Sequence, residues 1–177
     1  MTNTKFTETL EPIYDFMKHI SIPDNTIALN QIVSEKVIPP HMFITQVDNS
    51  ELSLIKKIIF FLQVAEYLNK KHELEFGNLL SYHIMECSKN VLINKNKEYS
   101  DGKDRFSNFH TAIKYMPYTG TAWEAVVSIS SKHFAWIEDA LFGRIEVTEK
   151  GIYDHIVDAI NYIFIYYSII NEDFPEC

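Results

Sequence analysis

The sequence predicts an all-α fold, a helical bundle of four or five helices. Apolar residues recur three or four positions apart through most of the 177-residue chain, and capping patterns stand where helices would begin. No stretch alternates between apolar and polar residues for long enough to predict a sheet. With 46% hydrophobic residues the chain can build one full core, so we expect a single domain over residues 1–177.

The first predicted helix begins near Phe6 and ends before Pro23. Its apolar positions, spaced as on one face of a helix, are Leu10, Ile13, Met17 and Ile20. Residues 22–48 lose this period and contain three prolines. We expect a connector here, with room for a short helix over residues 27–37 and a short strand over residues 42–47.

Two further helices are predicted before the middle of the chain. Asp48 and Glu51 have the spacing of a capping box, which predicts a helix over residues 49–71. A second helical period runs from Phe76 to Asn94 and predicts the next helix.

A long loop and another helix are predicted to follow. Residues 95–120 lack a helical period and are rich in Asn, Asp, Gly and Ser, so we expect an irregular loop of the kind that commonly carries function. Thr121 and Glu124 form a second capping box, and Gly143 stands where a C-terminal cap belongs. These signals predict a helix over residues 122–142.

The last predicted helix, over residues 149–171, follows Thr148 and is apolar around most of its circumference. At 100° per residue, Asp154, Asp158 and Asn161 fall within about 60° of one another and form a narrow polar stripe. Two carboxylates one helical turn apart can hold Mg²⁺, which prefers oxygen ligands. The alternative is that the stripe simply faces solvent.

The predicted loop combines basic and aromatic residues in an otherwise acidic protein. Cationic side chains beside rings that can stack on a base are typical of a nucleotide pocket. The alternative is a solvated loop whose rings pack on the core. The residues concerned are Lys89, Lys95, Lys97, Lys103 and Arg105, together with Tyr99, Phe106 and Phe109.

The helix predicted over residues 122–142 also carries candidate polar groups. Lys132 and Asp139 share one face, and His133 points about 100° away toward the apolar side. Taken alone, His133 suits a hydrogen-bonded core histidine, and the other two suit surface charges.

The segment from Lys95 to Tyr162 resembles a family of small phage-encoded proteins. The shared pattern runs Lys-Asn-x-Asp/Glu-Tyr, Asp-Arg-Phe-x-Asn-Phe, Lys-His with an acidic residue six positions after the His, and Asp-x-x-Asn-Tyr. This family is distantly similar to the all-α nucleoside triphosphate pyrophosphatases of the MazG and dCTPase group. The resemblance implies a MazG-like core over residues 76–171, with residues 1–75 as an N-terminal helical extension. The matching residues are Lys95, Asn96, Glu98, Tyr99, Asp104, Arg105, Phe106, Asn108, Phe109, Lys132, His133, Asp139, Asp158, Asn161 and Tyr162.

The resemblance implies a phage-type nucleotide-processing protein that hydrolyses a nucleoside triphosphate to a monophosphate and pyrophosphate. Mg²⁺ would be held by Asp139, Asp154 and Asp158, and Glu98 would act with Asp139 as a catalytic acid. The nucleotide would be bound by Tyr99, Arg105, Phe106, Asn108, Lys132, His133, Asn161 and Tyr162.

One difference from the pyrophosphatase pattern bears on activity. Where those enzymes have Glu-Glu-x-x-Asp, this chain has Asp154, His155 and Asp158, so it offers fewer carboxylates to a metal. Two alternatives therefore stand beside hydrolysis. One is a non-catalytic protein that sequesters a nucleotide or a nucleotide signal, and the other is a helical interaction protein.

Charge and cysteine content limit the partners and the location. A net charge of −8 and an isoelectric point near 5.3 argue against general nucleic-acid binding. We expect no membrane span and, with 2 cysteines, a cytoplasmic protein, in the host cytoplasm if it is phage-encoded. We also expect a homo-oligomer, because the last helix has more large apolar residues than a four-helix monomer readily covers. They are Tyr153, Ile163, Phe164, Tyr166, Tyr167 and Ile170.

Overall fold

A computed structural model describes residues 3–38, 50–77, 79–99, 106–116 and 120–173. For residues 3–7, 95–99 and 173 it describes the backbone alone. The strand expected over residues 42–47, the capping residue Asp48 and the candidate ligand Arg105 lie outside the described residues. Within those ranges the regular structure is helical and no strand forms, which confirms the all-α prediction.

Seven helices form in the described part of the chain, more than the four or five expected. The predicted connector contains the short helix for which the sequence left room over residues 27–37. The predicted loop contains a helix of six residues, which are too few to give a clear helical period in a sequence. The helices are α1 (Asn3–His19), α2 (Thr26–Glu35), α3 (Glu51–Lys71), α4 (Leu80–Tyr99), α5 (Ser107–Ala112, followed by a 3₁₀ turn over Ile113–Tyr115), α6 (Ala122–Leu141), and α7, which consists of the consecutive segments Glu149–Ile152, Tyr153–Val157 and Asp158–Asp173.

The predicted ends of α6 are confirmed by their hydrogen bonds. At its start, Thr121 Oγ1 accepts from the Glu124 amide at 3.4 Å and Glu124 Oε2 accepts from the Thr121 amide at 2.7 Å. At its end Gly143 adopts φ +71°, a backbone conformation that L side chains rarely adopt. The following amide, of Arg144, donates to the carbonyl of Asp139 at 2.8 Å, which closes a Schellman cap.

The ends of α3 and α7 show one correction and one confirmation. Ser50 caps α3, because its hydroxyl accepts from the Ser53 amide at 3.1 Å. The spacing indicated Asp48 as the capping residue, so that prediction was wrong and the cap comes later in the chain. Thr148 caps α7 as expected, because its hydroxyl accepts from the Gly151 amide at 3.1 Å.

Helix α7 lies against α3, α4 and α6, and most of its surface is buried, as the sequence predicted. Helix α6 runs antiparallel to it: Trp123 near the start of α6 contacts Tyr166, and Trp136 further along contacts His155. Side chains from α1 to α7 share one hydrophobic core, so the N-terminal helices pack together with the C-terminal ones.

Four of the six apolar residues on which self-association was predicted are buried by the chain's own helices. Ile163, Phe164, Tyr166 and Ile170 are each at most 3% exposed. The large apolar surface that the argument required is therefore not exposed on α7, and the oligomeric state stays a prediction. None of the helices in the described ranges is long and apolar enough to cross a membrane.

Candidate functional site

Polar side chains of α6 and α7 meet in a cluster of His133, His155, Asp158 and Tyr162, which we call the α6–α7 polar cluster. His133 Nε2 lies 3.6 Å from the Asp158 carboxylate, and the His133 ring lies 5.2 Å from that of His155 and 5.6 Å from that of Tyr162. His133 is 4% exposed, so its imidazole is held between the two helices. Three of these residues were predicted from the sequence pattern, and the structure brings those three together.

A π-helical turn over Tyr153–Val157 shapes the α7 side of this cluster. A π turn holds one residue more than an α turn, so it shifts the phase of the side chains that it carries, and such turns are frequent at functional sites. In this turn His155 stacks on Trp136, with ring centroids 4.6 Å apart and planes 7° apart. Gly151 makes this approach possible, because a Cβ at that position would lie 2.5 Å from Cζ2 of the indole.

The charged residues of α7 interact electrostatically with Cys87 on α4 as well as with His155 on α7 itself. Burial lowers the pKa of His155, against the opposite influence of Asp154 and Asp158. Burial also raises the pKa of the Cys87 thiol on α4, and the charges of Asp158 and Asp154 raise it further. The charges of both carboxylates therefore act on Cys87 of α4 as well as on His155.

The two aspartates of the stripe differ in exposure and in partner. The Asp154 side chain is 51% exposed and forms an ion pair with Lys150, whose side chain is 83% exposed. The Asp158 side chain is 24% exposed and lies beside His133. Asp158 is therefore partly enclosed beside α6, whereas Asp154 faces solvent, as the alternative interpretation of the stripe expects.

The two predicted catalytic acids are not brought together. Asp139 lies at the end of α6 nearest the start of α7, and its carboxylate accepts from Arg144 at 2.8 Å. Helix α4 runs parallel to α7, since Ser88 bonds Asn161 and Phe76, just before α4, contacts Tyr153. Glu98 lies ten residues beyond Ser88, about 15 Å toward the other end of the bundle.

Among the described residues no three His, Cys, Asp or Glu side chains are grouped so that they would hold a metal ion. The predicted trio of Asp139, Asp154 and Asp158 is accordingly not assembled as a three-ligand site. Asp139 is engaged by Arg144, while the other two lie one turn apart on α7.

Two residues predicted to contact a nucleotide belong to the core. Asn161 is 4% exposed, and its Oδ1 accepts from the hydroxyl of Ser88 at 2.5 Å and from that of Tyr14 at 3.0 Å. Phe106 is 2% exposed and packs in the hydrophobic core. Neither side chain is open to a base or a sugar, because α1 and α4 cover the first and the core encloses the second.

The remaining predicted ligands are at the surface or lack described side chains. Lys132 on α6 and Asn108 on α5 are exposed, and α5 packs against α6. The backbone of Tyr99 ends α4, and its side chain is not described.

Sequence reasoning missed the contributions of Trp136, His155 and Cys87. A helical projection at 100° per residue does not allow for a π turn, so it gave no reason to place His155 on Trp136. Gly151, fifteen residues after the tryptophan, was the available signal, since glycine inside a helix often marks a close approach.

Comparison of this chain with protein-family models, curated proteins and solved structures gave no match. The geometry of the α6–α7 polar cluster and the sequence pattern of its residues are therefore the features that bear on function.

Proposed function

We propose that this protein binds a Mg²⁺-nucleotide at the α6–α7 polar cluster. The observation that carries the proposal is the meeting of His133, Asp158 and Tyr162 at one helix interface, with Asp154 one turn away. His133 stands on a different helix from the other three, and the nucleotide-processing pattern includes His133, Asp158 and Tyr162.

The donor chemistry of Asp154 and Asp158 fits a magnesium ion. Mg²⁺ is commonly held by one or two carboxylates, with waters and substrate phosphates as its other ligands, so a group of three protein ligands is not required. The Lys150 partner of Asp154 is exposed, and an exposed ion pair is weak enough to release the carboxylate. When bound, the ion would neutralise part of the phosphate charge.

The neighbouring residues have complementary roles in this proposal. Lys132, exposed on α6, offers a cation to a phosphate, and the ring of Tyr162 offers an aromatic edge. Asp158 orients His133 by lying against its Nε2. Arg105 and Tyr99 remain expected loop contacts on the strength of the sequence pattern.

Hydrolysis to a monophosphate and pyrophosphate is a second candidate. The observation that favours it is the lowered pKa of His155, which keeps this imidazole neutral near pH 7. A neutral imidazole beside two carboxylates can accept a proton from a water molecule that attacks a phosphate. Binding without turnover remains the proposal that requires fewer groups.

Thermal unfolding and calorimetry with nucleoside triphosphates, with Mg²⁺ or with EDTA, test the binding proposal. A ligand present at a hundred times its Kd stabilises the native state by about 2.7 kcal/mol. We expect this stabilisation to require Mg²⁺. In Asp158→Asn we expect the affinity for the nucleotide to fall at least tenfold, which corresponds to roughly 1.4 kcal/mol of binding free energy. Glu146→Gln removes an exposed acid from the α6–α7 connection and is the matched control. Equal affinities for wild type and Asp158→Asn would place any nucleotide site elsewhere.

Pyrophosphate release under the same conditions separates the two candidates. Steady release that requires Mg²⁺ and is lost in His155→Gln supports hydrolysis, whereas tight binding without release supports sequestration. Arg105→Ala tests the loop, with an expected loss of about ten- to a hundredfold in nucleotide affinity if its guanidinium grips a phosphate. Unchanged affinity would remove the loop from the proposal.

A further inference from the structure

The base of a nucleotide needs a contact surface at the proposed site, and two of the residues predicted to bind the nucleotide cannot provide it. Phe106 and Asn161 are buried in the core. Trp136 is a partly exposed ring at the α6–α7 interface, where it contacts His155 of the polar cluster. We propose, resting on the function proposed above, that the base stacks on Trp136. This residue then determines the preference of the site for a nucleotide over a bare phosphate chain.

The Trp136 indole is held in place as a flat surface. His155 stacks on one of its faces, with ring centroids 4.6 Å apart and planes 7° apart, and Gly151 lies against its edge. Because His155 covers one face and the side chain is still partly exposed, the accessible part of the indole belongs to its other face and its free edge. A ring that is already fixed loses little conformational entropy when a base stacks on it.

The position of Trp136 along the α6–α7 interface suits the base of a nucleotide whose phosphates lie at Asp158. His133 lies beside Asp158, and Trp136 follows His133 on α6 by about 4.5 Å along the helix axis. Lys132, the exposed cation proposed for a phosphate, comes one turn before Trp136 and on the same face of α6. The contacts for phosphate and base are therefore consecutive along one interface, in the order in which a nucleotide presents these groups.

Tyr162 is the other partly exposed aromatic ring of this interface, and it suits the base less well. It follows Asp158 by one turn of α7, whereas Trp136 lies opposite His155, so the two rings are on opposite sides of Asp158 along the interface. The indole has a larger π surface than the phenol ring and offers more area to a stacked base. Because the two rings lie in different directions from the carboxylate, variants of each can tell which one carries the base.

Tryptophan fluorescence tests the contact, because the chain has 2 tryptophans and Trp123→Phe leaves Trp136 as the emitting residue. Trp123 lies about 20 Å away on the same helix, where it contacts Tyr166. This variant is titrated, with Mg²⁺ present, with ATP, GTP, CTP and UTP, with inorganic tripolyphosphate and with adenosine. We expect the nucleotides to quench the emission and tripolyphosphate to leave it unchanged. If a nucleotide binds by calorimetry and the emission of Trp136 does not change, the proposal is overturned.

Calorimetry on Trp136→Leu and Trp136→Phe separates stacking from a structural role. We expect Trp136→Leu to weaken the most tightly bound nucleotide about tenfold and to leave the affinity for tripolyphosphate unchanged. Trp136→Phe keeps a ring for stacking and should retain most of the affinity. Tyr162→Leu is the matched comparison and should leave the ratio of the two affinities unchanged. The quenching measurement needs no change at Trp136, so it still tests the proposal if Trp136→Leu does not fold.

Failure of the stacking contact and failure of the Mg²⁺-nucleotide site give different results. If tripolyphosphate binding depends on Asp158 and Trp136→Leu leaves the ratio of nucleotide to tripolyphosphate affinity unchanged, the site stands and the stacking contact is overturned. The contact is also overturned if Tyr162→Leu, and not Trp136→Leu, lowers that ratio. If tripolyphosphate does not bind but adenosine quenches Trp136 with or without Mg²⁺, the stacking contact stands and the Mg²⁺ site fails. If none of the probes binds at about 5 mM, both proposals are overturned.

Discussion

The polar stripe of α7 divides into two parts with different environments. Asn161 is buried against α1 and α4, where the hydroxyls of Tyr14 and Ser88 donate to its side chain. Asp158 and Asp154, one and two turns earlier, remain partly exposed, and Asp158 lies beside His133 of α6. Regular spacing thus placed three polar groups on one face, and the helices packed opposite decided which became structural and which stayed accessible to a ligand.

The cost of removing a polar group should follow this division. A buried group that accepts from two others cannot be lost without removing both of those hydrogen bonds from the core, whereas an exposed carboxylate can exchange its partner for water. The predictions below test the contrast from the buried part of the stripe outward.

The largest effect is expected for Asn161→Leu. The substitution leaves the hydroxyls of Tyr14 and Ser88 without their acceptor, and the free energy of unfolding should fall by about 2–4 kcal/mol in urea denaturation. Asp154→Asn on the same helix should change it by less than about 0.5 kcal/mol. If Asn161→Leu lowered the free energy of unfolding by less than Asp154→Asn does, the buried hydrogen bonds would contribute nothing to stability.

A smaller destabilisation is expected for Gly151→Ala. The new Cβ would lie 2.5 Å from Cζ2 of Trp136, so the indole must move off His155, at a cost of about 1–2 kcal/mol. In a Trp136→Leu background the same substitution should cost much less. Gly77→Ala is the control, because no atom lies within 4 Å of the added Cβ. Equal losses with and without the indole would mean that the close approach is not what requires glycine.

The third prediction concerns pH and His155, whose pKa burial lowers in the folded state. Above about pH 6.5 the residue is neutral in both states and has no effect on stability. Below that pH the unfolded chain takes up the proton first, so stability falls as the pH drops toward the folded-state pKa. The melting temperature of His155→Gln should therefore decrease less than that of wild type when the pH is lowered from 7.5 to 5.5. Parallel melting curves across this range would contradict the lowered pKa.

The smallest effect is expected at Cys87, whose thiol pKa is raised by burial and then by Asp158 and Asp154. Iodoacetamide reacts with the thiolate, so neutralising a nearby carboxylate should speed alkylation. In a Cys177→Ser background, Asp158→Asn should increase the rate by about two- to fivefold. Glu146→Gln should leave the rate unchanged. An unchanged alkylation rate in Asp158→Asn would show that the charge of Asp158 does not act on the Cys87 thiol.

Much of the fold was predictable, and the candidate site was predictable in part. The signals at Thr121, Gly143 and Thr148 each identified a helix end that the structure confirms. The pattern also selected His133 and Asp158, which the structure brings into contact. It did not reveal that Asn161 is covered by α1, since that contact joins residues 147 positions apart.

By itself, the sequence determined the all-α class, the caps of α6 and α7 and the polar stripe of α7. These features depend on interactions within a few residues, namely capping hydrogen bonds and the helical period, which a linear sequence displays directly. Only the tertiary structure decided that the stripe is split between core and surface, that a π turn sets His155 against Trp136, and that Glu98 and Asp139 lie toward opposite ends of the bundle. Burial and separation depend on which distant helix packs against which face, and no local pattern specifies that choice.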